Sequence, residues 1–249
     1  MTSDALSTQA LNRALLARQR LLARAPLPAD GDGDRARRVI AMVEHLAGLQ
    51  AQAPFPPYYG LWSRLAGFRP EDLAELLLSR DVVRIALMRG TIHLVSARDC
   101  LLFRPLLQPV LEQGLRTLRA GQLKGVDTRA LAIAGRALVE EKPRSFSELG
   151  KLLSATWPDH PPAWLAQGVR ALVPLVQVPP RAVWGRAGQP LHTSAESWLG
   201  RPLHDAPSLD DLFERYLAAF GPACPHTARG GTWTSGTSAR TPWASAVGG

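Results

Sequence analysis

Two glutamines separated by one small residue, Gln50-Ala51-Gln52, are the residues of this chain best placed to do chemistry. A helical pattern carrying arginines, Asp34 to Leu49, runs into them, and Pro54, Pro56 and Pro57 then force the chain out of helix. In extended chain a spacing of two points both amides to the same side. Each amide offers donors and an acceptor, so the pair can hold a water molecule or a base edge. The same spacing also suits two amides that cap a helix end and face solvent.

The charge of the chain narrows the partner. Lys and Arg number 29 against 21 Asp and Glu, a net charge of +8, and 26 of the 29 are arginine. Arginine forks onto phosphates and base edges better than lysine does, so a surface of this kind favours a polyanion, most simply nucleic acid. Arg13, Arg20, Arg35, Arg38, Arg84, Arg89 and Arg186 are the expected DNA-binding contacts. At 249 residues and 46% hydrophobic content the chain can form one large domain or two to three small ones. No run reaches the 18 apolar residues of a membrane span, and Met1 to Arg24 is too charged for a secretory signal. Cys100 and Cys224 show no metal or disulfide spacing. A cytoplasmic, nucleoid-associated protein without membrane contact is expected.

The elements that must position the glutamines follow from periodicity. Leu6 to Arg24 reads as an amphipathic helix, ended by Pro26 and Pro28, and Asp30 to Gly33 as a loop. Helices follow over Asp34–Leu49, Tyr58–Ala66 and Pro70–Ser79, the last with proline at its start and acids in its first turn. The period then changes: Val82–Leu87 and Thr91–Val95 are β-rich runs joined through Met88-Arg89-Gly90, a hairpin signal that places Arg84 and Arg89 on a wing. His93 lies in the second run, where a sheet histidine with satisfied hydrogen bonds is expected. Helix resumes over Ser96–Leu118, broken by Pro105 and Pro109.

The order then repeats. Asp127–Glu140 starts on a capping aspartate, Ser145–Thr156 opens with the capping box Ser145-x-x-Glu148, and Pro162–Leu172 is a third helix. Leu175–Val178 and Gln189–Thr193 bracket a longer wing carrying Trp184 and Arg186. The expected fold is mainly α with small β wings: tandem winged-helix domains, two nearly complete and a third truncated after its first helix. The units span residues 1–100, 101–205 and 206–223, and residues 224–249 form a tail. Leu209–Phe220 is amphipathic, with partners expected in the missing third unit, so the folded core should end near Leu203. Cys224 to Gly249 lacks Leu, Ile, Asp, Glu and Lys, and reads as a disordered, out-of-frame tail.

Gly48-Leu49-Gln50-Ala51-Gln52-Ala53-Pro54, Tyr59-Gly60-Leu61-Trp62-Ser63-Arg64-Leu65 and Leu87-Met88-Arg89-Gly90-Thr91-Ile92-His93-Leu94-Val95 together resemble the AlkZ-like winged-helix DNA glycosylases of bacteria. The resemblance covers roughly Leu6 to Ala223. It implies three tandem winged helices around duplex DNA, in which the Gln-x-Gln pair maps onto Gln50 and Gln52. It also implies hydrolysis of the N-glycosidic bond of N7-alkylated guanine, in some members including interstrand crosslinks. Alkylation makes the base cationic and a good leaving group, so orienting a water is the main task left, with no metal or redox cofactor. The competing class is a DNA-binding module without catalysis, a winged-helix regulator or an inactive fragment, which binds DNA without releasing base.

Overall fold

The computed structural model describes residues 7–28 and 32–221. The tail Cys224–Gly249 and part of the expected Asp30–Gly33 loop lie outside the described residues. The chain runs α1 (Thr8–Arg18), β1 (Ala25–Pro26), α2 (Asp32–His45), β2 (Leu49–Gln50), α3 (Pro56–Trp62), β3 (Leu65–Ala66) and α4 (Pro70–Ser79). It continues with β4 (Val82–Ala86), β5 (Ile92–Ser96), α5 (Ala97–Leu106), α6 (Gln108–Ala120), α7 (Thr128–Glu141), α8 (Phe146–Leu153) and α9 (Pro162–Leu172). The last elements are β6 (Leu175–Val178), β7 (Leu191–Ser194), α10 (Ala195–Leu199) and α11 (Leu209–Phe220).

Local chemistry sets most of these boundaries. Pro70 opens α4, and the Asp72 carboxylate reaches back to accept from the Arg69 N–H at 2.7 Å. Asp127 accepts from the N–H groups of Arg129 and Ala130 at the start of α7, and Ser145 and Glu148 form a reciprocal capping box at α8. α1 is shorter than the apolar pattern because Arg20, at φ 56°, turns the chain out of helix.

The two hairpins are not separate wings. They join edge to edge in one antiparallel sheet of order β2-β5-β4-β6-β7, through Arg84 opposite Gln177 and Ile85 opposite Val176. This removes two open sheet edges that isolated wings would expose. β4 is therefore the middle strand, and every residue of β4 and β5 is buried. A sheet covered on both faces needs no hydrophobic alternation. One face packs against the core built on α2, α3 and α4, including Val39, Leu61 and Leu73. The other packs with α5 around Ile85, Phe103 and Val176. A third core, around Leu131, Leu149 and Leu165, belongs to α6 to α9.

The expectation that α11 lacks partners is corrected. Leu212 is buried in the core shared with α5, while Phe213 and Tyr216 are half-buried. Arg215 holds the buried Asp99 carboxylate with two hydrogen bonds, at 2.5 and 2.6 Å, and also donates to the Glu44 carbonyl. Gln19 Nε2 donates to the Ala219 carbonyl at 2.6 Å. The helix read as the start of a separate unit is docked on the first one. No helix among the described residues is long and apolar enough to cross a membrane.

Candidate active site

The glutamine pair sits at the edge of the sheet, delivered by the end of α2. That helix closes with the Gly48 N–H on the Val43 carbonyl at 3.0 Å and the Ala47 N–H on the Glu44 carbonyl at 3.0 Å, the two bonds of a Schellman motif. Gly48, at φ 100°, then brings the backbone against β5: a Cβ there would lie 2.7 Å from Val95 Cγ1. No other residue fits that approach without displacing the strand.

Beyond Gly48, Leu49 and Gln50 pair with Leu94 and His93. The Ala51 N–H donates to the Ile92 carbonyl at 2.7 Å, and the Ile92 N–H donates to Gln52 Oε1 at 2.8 Å. The Gln52 side-chain carbonyl thus occupies the place that a main-chain acceptor would take in a longer strand. Both glutamines are exposed, but they do not project as an equivalent pair from one extended strand. Gln50 belongs to the strand; Gln52 lies past its end with its acceptor engaged, leaving the Nε2 donors as its main offering to a ligand.

His93 lies directly across from Gln50, on the same face of the sheet. It is buried, and its Nδ1 lies 3.0 Å from the Thr91 carbonyl. A carbonyl can only accept, so Nδ1 carries the proton and Nε2 keeps its lone pair. Burial, reinforced by the nearby Arg89 charge, pulls the ring down to about 4 against the hydrogen bond to Thr91, so at neutral pH it is uncharged. The satisfied sheet histidine expected from the sequence also turns out to adjoin the glutamine motif. Only its register reveals this.

Two arginines expected to grip phosphate do something else. Arg35 is buried, with Nε and Nη2 on the Asp72 carboxylate at 2.9 and 2.6 Å and further bonds to the Pro28 and Gly67 carbonyls. It ties α2 to α4. Arg84 is 1% exposed because β4 is central and covered on both faces. Its Nη2 donates to the Ala51 carbonyl at 2.5 Å, between the two glutamines, while Nε and Nη1 are buried with no hydrogen-bond partner among the described residues. Burial, with the Arg181 charge adding to it, brings its guanidinium down to about 10. Both guanidinium groups are buried within the protein and not displayed at its surface.

The other five arginines expected to contact DNA are exposed. Arg89 occupies a left-handed position, φ 56°, in the turn joining β4 to β5, a few residues from the Ile92–Gln52 bond. Arg186 lies in the loop between β6 and β7, two residues past Trp184. Arg13, Arg20 and Arg38 are exposed on α1, at its exit and on α2. The β4–β5 turn is itself anchored from the second half, where Arg170 Nη2 on α9 donates to the Gly90 carbonyl at 3.0 Å.

A contact that the sequence did not signal joins the motif to the second hairpin. Tyr58, at the start of α3, donates through Oη to the Ala182 carbonyl at 2.7 Å and accepts from the Trp184 N–H at 3.1 Å. Burial pushes its hydroxyl up to about 12, so it stays protonated. The loop carrying Trp184 and Arg186 is thereby pinned beside the stretch that follows Gln52.

An exposed amide pair on a rigid sheet edge, flanked by arginine and aromatic side chains, has the makings of a nucleic-acid site. The family model described as DNA glycosylase AlkZ-like matches residues 43–248, and the chain belongs to the AlkZ-like DNA glycosylase family. The matched range takes in the whole glutamine motif and nearly all of Cys224–Gly249, the stretch set apart by composition. Among solved structures the chain is similar to Streptomyces sahachiroi DNA glycosylase AlkZ, with a TM-score of 0.66 at 19% identity. That similarity covers 89% of this chain and 59% of that protein, so this chain spans less than two thirds of its length. At this identity the similarity speaks for the fold alone. No curated protein matches in sequence.

Proposed function

We propose that this chain is a monofunctional DNA glycosylase. In this reading it binds double-stranded DNA as a monomer in the cytoplasm and hydrolyses the N-glycosidic bond of N7-alkylguanine, crosslinked guanine included, in DNA repair or antibiotic self-resistance. The observation that carries the reading is the Gln50-Ala51-Gln52 motif, held at an exposed sheet edge within the residues matched by the family.

N7-alkylation leaves the purine cationic. The bond from C1′ to N9 breaks, its electron pair returns to the purine, and the released base is neutral. Water oxygen bonds to C1′, and its extra proton is lost once that bond has formed, when the oxygen is strongly acidic. No strong base is needed, and a glutamine amide could not act as one. Gln50 and Gln52 orient the water and contact the deoxyribose as it gains positive charge. Neutral His93, paired with Gln50 across the sheet, adds no positive charge beside that sugar. Selectivity follows in part from the lability of the alkylated base itself.

The test is release of free N7-methylguanine from methylated duplex DNA by the 249-residue chain. Gln50→Ala/Gln52→Ala should abolish release. DNA binding without any release by the unaltered chain would leave only a non-catalytic DNA-binding protein.

A further inference from the structure

Three aromatic rings meet next to the glutamine motif. Phe55 follows Gln52 by three residues, Tyr58 lies one turn further on, and Trp184 comes from the loop between β6 and β7. The Phe55 and Trp184 rings meet edge to face at 5.4 Å between centroids, and Tyr58 packs 5.1 Å from Trp184 and 6.1 Å from Phe55. Tyr58 is 2% exposed, whereas Phe55 and Trp184 remain 37% and 39% exposed.

The exposure of those two rings is not explained by packing. The loop carrying Trp184 is held in place, because Tyr58 Oη donates to the Ala182 carbonyl and accepts from the Trp184 N–H. A pinned loop that sets Trp184 against the exposed Phe55, with the exposed Arg186 two residues past Trp184, combines a π surface with positive charge. A heteroaromatic base on a phosphate backbone matches both features, since every base has a face to stack and a phosphate close by.

We infer that Phe55 and Trp184 form a stacking platform for a purine displaced from the duplex beside Gln50 and Gln52, with Arg186 on its phosphate. The inference rests on the DNA glycosylase reading and adds to it the subsite that holds the base. The platform takes one ring from each half of the chain. Tyr58 is its positioning residue, setting the angle between the rings without itself facing the ligand.

The experiment compares two duplexes of one sequence, fully paired and with a single purine opposite a tetrahydrofuran abasic site. Loss of base–aromatic stacking corresponds to about 5- to 150-fold in affinity per base. The unaltered chain should prefer the unpaired-purine duplex by a factor in that range. In Phe55→Ala/Trp184→Ala the preference should fall to about one, and Trp184→Phe should keep part of it because a ring remains. A second measurement needs no variant: 6-thioguanine at the unpaired position, irradiated with near-ultraviolet light, should crosslink to the peptide carrying Phe55 or Trp184. A preference in the double variant as large as that of the unaltered chain, or crosslinks mapping elsewhere, overturns the platform. If the unaltered chain releases N7-methylguanine yet shows no preference, the platform alone fails. If it neither binds DNA nor releases base, the glycosylase reading fails and the platform with it.

Discussion

The guanidinium of Arg84 donates to the carbonyl oxygen of Ala51 at 2.5 Å, so the residue between the two glutamines is held from beneath by the central strand of the sheet. Arg84 Nε and Nη1 are buried with no partner among the described residues, so this contact is not the most economical way to fill that volume. Its consequence is positional: the backbone that carries both amides is tied to the buried central strand of the sheet. A guanidinium that is mostly unpaired contributes little net stability and a good deal of geometry.

Arg84→Met is accordingly predicted to slow base release by roughly 10- to 100-fold, the scale of a small misplacement of positioned groups. Melting should change little, because an apolar chain of similar volume replaces a partly unsatisfied buried charge. The salt dependence of DNA binding should not move either. A variant that melts much lower, or keeps its full rate, would show that the Ala51 contact does not position the motif.

Arg13, Arg20, Arg38, Arg89 and Arg186 remain as exposed candidates for phosphate contacts. Each one that neutralises a phosphate should add about 0.9 to the slope of log affinity against log salt. Arg89→Ala should therefore lower the slope by about one unit where Arg84→Met lowers it by none. Binding measured by fluorescence anisotropy from low to moderate salt provides the comparison.

Stability should fall on mild acidification. Burial holds His93 and His192 down to about 4, from 6.5 for a free ring. Between those values the unfolded chain takes up protons that the folded chain does not. The contribution is complete above about pH 6.5 and is lost as pH falls towards 4, at about 3 kcal/mol for each histidine at full development. Thermal melts across this range should show the loss, and His192→Leu should flatten it. A melting temperature independent of pH would mean that both rings gain protons in the folded state.

Removing Arg215 should be costly, since it leaves the Asp99 carboxylate, 0% exposed, without its partner. Burial already holds that carboxyl above its ordinary range against the opposing effect of Arg215. Arg215→Met is expected to destabilise by about 3–5 kcal/mol. Limited proteolysis of the unaltered chain should leave a fragment that retains α11, and not one ending near Leu203. Early cleavage before Leu209 would show that the docking is weak.

Much of the local structure was legible in the residues. Pro70, Asp127, Ser145 and Pro162 start helices because caps and first-turn prolines act within a few residues of chain. Pro162–Leu172 and Leu209–Phe220 have the bounds that apolar periodicity predicts, and Val82–Ala86 and Ile92–Ser96 follow from β-branched runs around Arg89-Gly90. The Gln50-Ala51-Gln52 motif stood out on residue type, spacing and the prolines after it.

Tertiary structure decided which side chains were free to act. Arg84 reads as a wing residue until β4 pairs with β6, a partner more than ninety residues away, and becomes the middle strand. Arg35 reads as one of several arginines on a helix until α4 brings Asp72 to it. His93 adjoins the motif only through its register with Gln50, and Trp184 reaches Tyr58 only because the second hairpin folds back over α3. Local sequence sets helix starts and turns because those interactions span three or four residues. Burial, and with it the division between structural and binding arginines, depends on which distant segments pair, and no short-range pattern encodes that choice.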